Sequence, residues 1–202
     1  LKISLQHIQK KFNNIKILDD INLEIEQHQI CVILGANGSG KSTLMQIISG
    51  KMLQTDGNIF YAINSQNITS ENVFSQISYA APYIDIIDEF TASELLQFHF
   101  KFKKLQCFAS VVDLLEYLKL PNNKNIKYFS SGMKMKLKLG MAFYSESSLL
   151  LLDEPCSHFD TINKHWYKNE LTKIQGKRTI IIASNDIEEY DFIENRKEFL
   201  IP

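Results

Sequence analysis

The sequence predicts an α/β fold: a mostly parallel sheet flanked by helices, entered through short N-terminal strands and interrupted by an inserted helical lobe. Three observations carry that reading. Continuous apolar runs at 30–34, 148–153 and 179–183 have the pattern of strands buried on both faces. The first runs directly into Gly35-Ala36-Asn37-Gly38-Ser39-Gly40-Lys41-Ser42-Thr43, after which Leu44, Ile47 and Ile48 supply a helical apolar face. Between about 85 and 145 the strand pattern gives way to helical spacing.

Taken in order, Ile3, Leu5 and Ile8 alternate onto one side, and Leu18, Ile21, Leu23 and Ile25 follow the polar turn Phe12-Asn13-Asn14, as short strands would. A helix from about Ser42 to Ser49 stops at Gly50, and the turn Thr55-Asp56-Gly57 opens a strand reaching Ala62. Ile77 to Ala80 is a short strand. Residues 91–105 place Leu95, Leu96, His99 and Phe102 at helical spacing behind a Thr91 or Ser93 cap, although the alternation of Phe98, Phe100 and Phe102 also fits a strand. Ser110 to Leu118 is a helix with Ser110 as N-cap, one face of Val111, Leu114, Leu115 and Leu118, and Pro121 as terminator. A third helix, about 131–145, turns Met133, Leu137, Met141 and Tyr144 inward and leaves Lys134, Lys136 and Lys138 as a solvated stripe. A buried strand then ends in Asp153 and Glu154, another covers 179–183, and a last short one covers 199–201.

Composition narrows the function classes. A net charge of −1 gives no reason to expect nucleic acid or a polybasic membrane anchor. Cys31, Cys107 and Cys156 are odd in number and far apart, which fits a reducing cytosol and no zinc site. No apolar run approaches the roughly 20 residues that span a bilayer, and the first residues lack a signal-peptide layout. The expectation is a soluble chain whose membrane association comes through a partner.

The stretch 35–43 carries the chemistry. Its glycines let backbone amides wrap a phosphate, Lys41 reaches the β- and γ-phosphates, and Ser42 offers a hydroxyl to Mg²⁺. The following helix points its N-terminal dipole at the anion. A chance match to this pattern has odds of about one in a hundred at average composition. Asp153, at the end of a buried strand, suits a metal held through water, and the adjacent Glu154 suits polarisation of an attacking water. Other phosphate-binding machines fit less well. Asn163-Lys164-His165-Trp166 lacks the Asp of a guanine reader, and Gly35, Gly38 and Gly40 are misspaced for a dinucleotide fingerprint. A kinase lid wants arginines, and this chain has only Arg178 and Arg196.

With Phe129-Ser130-Ser131-Gly132-Met133 ahead of the third helix and Pro155-Cys156-Ser157-His158-Phe159-Asp160 behind the acids, the chain resembles the nucleotide-binding subunit of ATP-binding cassette (ABC) transporters over nearly its whole length. The resemblance implies a single domain, 1–202, with a P-loop NTPase core and an N-terminal antiparallel β subdomain in 1–84 and 146–202, and a helical signature subdomain in 85–145. It implies ATP and Mg²⁺ as cofactors, with Ser42 and Asp153 on the metal and Glu154, Lys41 and Asn185 in hydrolysis. Phe12 and Ile17 would hold the base, and Gly35 to Thr43 the phosphates. Ser130, Ser131, Gly132 and Asp160 would act across a head-to-tail homodimer or heterodimer. It also implies an integral membrane permease as partner, no nucleic acid, and a place on the cytoplasmic face of the membrane. The segment Tyr83 to Phe90 would receive a permease helix.

Within the signature stretch Ser130, Gly132 and Lys134 fit the family pattern while Phe129, Ser131 and Met133 depart from it, and two further departures bear on the mechanism. Pro82 stands where a glutamine side chain ordinarily reaches the metal and water, and Gln76 lies on the wrong side of the strand to replace it. Asn185 stands at the switch histidine and cannot shuttle a proton near neutral pH. These departures favour, as the alternative, a slow or non-hydrolysing ATP-binding regulatory module of the same fold.

Overall fold

The computed structural model describes residues 1–201. Strands β1 (Lys2–Phe12) and β2 (Ile15–Ile25) form a long hairpin, eleven residues each, closed by Asn13 and Asn14 at φ 46° and 68°. Two successive positive φ values make the tight turn whose twist matches antiparallel strands. The expected short strands are therefore long ones. After β3 (Ile30–Leu34) and helix α1 (Lys41–Ile48) come β4 (Asp56–Ile63), β5 (Gln66–Ile68), the short helix α2 (Ser70–Val73) and β6 (Ile77–Ala80). The helical lobe holds α3 (Ala92–His99), α4 (Val111–Leu118) and α5 (Ser131–Tyr144). The chain closes through β7 (Leu149–Asp153), α6 (Thr161–Ile174), β8 (Thr179–Ala183) and β9 (Arg196–Leu200).

The strands make two sheets, an antiparallel one in the order β2-β1-β4-β5 and a parallel one in the order β6-β7-β8-β3-β9. Alternation along the parallel strands divides the core. Val32, Leu150, Leu152, Ile180 and Ile182 pack with the helical lobe, whereas Cys31, Ile33, Leu149, Leu151 and Ile181 pack with α1 and the antiparallel sheet. Burial on both faces is why these strands read as unbroken apolar runs.

Three further expectations need correction. The helix expected over 91–105 ends at His99 and the chain turns, leaving Phe102 exposed; Phe98 stacks edge-on against Phe90 and Phe102, so no strand forms. Helix α4 ends at Leu118 as expected, capped by Lys119 in the left-handed region (φ 54°) two residues before Pro121. The last strand begins at Arg196, paired along β3. The lysine stripe of α5 is not a solvated face. Lys138 is buried, Lys134 pairs with Asp88, and Lys136 reaches Asn163 Oδ1 and covers the Trp166 ring. Met133 and Met141 are only half-buried, while Met135, Leu139 and Phe143 fill the core. Because α5 packs against β6 as well as α3 and α4, its buried surface wraps beyond one stripe.

Candidate functional site

Parallel strands end on the same edge of their sheet, so the loops after β3, β6, β7 and β8 meet there. From β3 comes the loop 35–40. Gly40 is the N-cap of α1 at φ 99°, and a Cβ there would lie 2.8 Å from Leu18 Cδ2, so only glycine fits. Lys41 follows, buried, its Nζ donating to the carbonyls of Gly35 (2.7 Å) and Ala36 (3.1 Å). The free amides of the first turn of α1 open toward the loop.

From β7 come the two acids. Asp153 is 1% exposed, its Oδ1 has no hydrogen-bond partner among the described residues, and its Oδ2 accepts from the Tyr83 hydroxyl at 2.6 Å. Burial pushes its carboxyl above the usual range, against the Tyr83 hydrogen bond and the nearby Ser42 hydroxyl. Glu154 is in the left-handed region at φ 44°, its amide tied to the Ala183 carbonyl at 2.8 Å. Backbone strain held by surrounding structure is common where a side chain has to be aimed. From β8 comes Asn185, whose amide donates to Asn37 Oδ1 in the phosphate loop.

One cavity of about 370 Å³ gathers half of the expected residues. Phe12 and Ile17 form its apolar end, Asn37, Gly38 and Gly40 to Thr43 its loop wall, and Glu154 its far side. Lys10 Nζ lies 4.9 Å from the Phe12 ring centre. Asp153 sits behind this wall, next to Ser42. Gly35, Ala36 and Ser39 shape the loop from outside the cavity, Ser39 Oγ lying where a Cβ on Gly35 would be.

The residues expected to act across a dimer are elsewhere. Ser130 caps α5, accepting from the Met133 amide at 3.2 Å, and Ser130 and Ser131 are exposed. A Cβ on Gly132 would come 2.9 Å from the His158 carbonyl, so the start of α5 lies backbone to backbone against the segment after Glu154. Asp160 caps α6 through the Asn163 amide at 2.8 Å. Sequence reasoning missed Tyr79 and Tyr83. Their hydroxyls bond to each other, and Tyr83 continues to Asp153. Only the contact between positions seventy residues apart reveals them, and no local motif announces it.

The sequence model of the ABC transporter family matches residues 18–157. Among curated proteins, the chain is 30% identical over 205 residues to the phospholipid-transporting ATPase ABCA3 of Mus musculus, and 31% identical over 209 residues to ATP-binding cassette sub-family A member 10 of Homo sapiens. These matches cover 96% and 98% of the chain but only 12% and 14% of those relatives. The chain thus spans about an eighth of the length of the curated relatives it matches. A putative ABC transporter ATP-binding protein from Pyrococcus furiosus shares the fold with TM-score 0.79 at 20% identity, covering 100% of this chain and 98% of that one. A dimeric post-hydrolysis cassette bound to ADP and Pi does so with TM-score 0.83 at 20% identity, covering 98% and 94%.

Proposed function

Since the chain belongs to the ABC transporter family, we propose that it is the ATP-binding and ATP-hydrolysing cassette of a transporter, driving a separate membrane permease as two cassettes close head-to-tail on ATP. One observation carries this reading: a single sheet edge brings the Lys41 loop and Glu154 around one cavity that ends in Phe12, with Asp153 just behind its wall. The loop amides and Lys41 hold the β- and γ-phosphates, while Phe12 and Ile17 hold the adenine. The residues also fit a divalent cation, because a buried carboxylate oxygen without a partner beside a serine hydroxyl is a hard-oxygen donor set. Ser42 and Asp153 would hold Mg²⁺, which supplies neutralisation of phosphate charge. Glu154 takes the proton of the attacking water, and Asn185 donates to the γ-phosphate.

Ser130, Ser131 and Gly132 contribute nothing to the cavity of their own chain, which supports a role on the nucleotide of a second copy, identical or related. Asp160, which caps α6, would act across the same contact. Between β6 and the helical lobe, 85–145, lies an apolar groove of about 450 Å³ walled by Tyr79, Ile84, Ile86, Ile87, Leu95 and Phe98. That groove suits a permease helix on the cytoplasmic face of the membrane, and among the described residues no helix is long and apolar enough to cross a membrane itself. The domain reading is a single unit, 1–84 and 146–202 forming the β subdomain and core.

Steady-state ATP turnover of wild type and Glu154→Gln, measured with the membrane partner, tests the proposal. Loss of about a hundredfold or more in the variant is expected if Glu154 is the base. Equal background rates would instead favour the second reading, a regulatory ATP-binding module, to which Pro82 and Asn185 point.

A further inference from the structure

We propose that the Tyr83 phenol is a latch on Asp153, braced by Tyr79, that competes with the divalent cation for this carboxylate. The inference rests on the ATP-and-cation reading above and deepens it. Tyr83 donates to Asp153 Oδ2 at 2.6 Å, and the Tyr79 hydroxyl bonds to the Tyr83 hydroxyl with the two rings edge-on at 6.5 Å. The other oxygen of the same carboxylate is buried without a partner. Asp153 therefore has one oxygen latched and one free, in a site where water does not share the load.

The latch is held from its own backbone. Lys138, buried in α5, donates from Nζ to the Pro82 carbonyl at 2.7 Å and the Ala81 carbonyl at 3.3 Å. Among the described residues no carboxylate bonds to this ammonium; its hydrogen bonds go to the chain just before Tyr83 and fix where that residue starts. Proline at 82 offers no side-chain donor or acceptor, and the phenol one residue later is the group that reaches the acid. A buried carboxylate can have its charge relieved by a donated O–H or by a cation. The phenol holds the carboxylate toward β6, whereas a cation beside Ser42 draws the same charge toward α1. Each partner weakens the other.

Mn²⁺ is the probe. It is titrated, by its electron paramagnetic resonance signal, into wild type, Tyr83→Phe and Tyr79→Phe, each saturated with a non-hydrolysable ATP analogue. Tyr83→Phe should bind Mn²⁺ about tenfold tighter, consistent with losing a competing hydrogen bond to an ionised group. Tyr79→Phe, which removes only the brace, should tighten binding less. Affinity for the analogue in excess chelator should be the same in all three, since the latch does not touch the phosphate loop. Equal or weaker Mn²⁺ binding by both variants overturns the latch and leaves the nucleotide reading standing. Mn²⁺ uptake by none of the three overturns the metal reading and the latch with it.

Discussion

Glu189 shows how far a single residue can depart from its type. It is 3% exposed, accepts from the Cys156 amide at 2.7 Å on Oε1, and has no partner on Oε2. Burial, aided by the negative charge of Asp186 and Glu154, pushes its carboxyl up to about 7. The folded chain keeps this proton where the unfolded chain, near 4.5, has released it. The contribution to stability is thus complete below pH 4.5 and is lost as pH rises through about 7. His99, which burial pushes down to about 4, acts in the opposite sense, costing stability as pH falls from 6.5. The difference between wild type and Glu189→Gln isolates the first effect. Urea midpoints of the two should diverge between pH 4.5 and about 7, wild type losing ground as pH rises; parallel profiles would remove the assignment. At this scale the sequence exposed Lys41, Ser42, Asp153 and Glu154, because each sits inside a local motif. It hid Tyr83 and Glu189, because burial and a distant partner, not neighbours in sequence, define what they do.

Among the elements, α5 separates what periodicity can and cannot tell. Its span was readable from Ser130, which caps it, but its buried face was not, because packing on three sides recruits Lys138 and Leu139 as well as Leu137. Where α5 crosses α4, Gly140 permits the approach: a Cβ there would lie 2.5 Å from Leu118 Cδ1, and Leu118 is fully buried. Gly140→Ala gains about 1 kcal/mol in helix propensity but forces an overpacked contact costing about 1–3 kcal/mol. The net expectation is a loss of about 1 kcal/mol, read as a lower denaturant midpoint at unchanged slope. A gain would mean that Leu118 has room to turn.

Across the whole molecule, Glu170 of α6 joins the helical lobe to the core. Its carboxylate, on a residue 3% exposed, accepts from Tyr117 of α4, Tyr144 of α5 and Lys173 of its own helix. Glu170→Ala would leave two phenols without their acceptor, and should cost about 2–3 kcal/mol, at or just below the low end of the range for broken buried pairs because Lys173 is largely exposed. Glu170→Gln, which keeps an acceptor, should cost less; equal losses would show that packing volume, not the hydrogen bonds, is what counts. The sequence by itself determined the α/β class, the phosphate loop and the order of strands and helices, because apolar period, glycine position and capping residues act over a few neighbours. Only the tertiary structure decided that Phe12, the loop and Glu154 share one cavity, that the α5 lysines are partnered, and that Tyr83 holds the Asp153 carboxylate. These depend on which strand ends share an edge and which groups are closed off from water, and both are set by the assembled sheet.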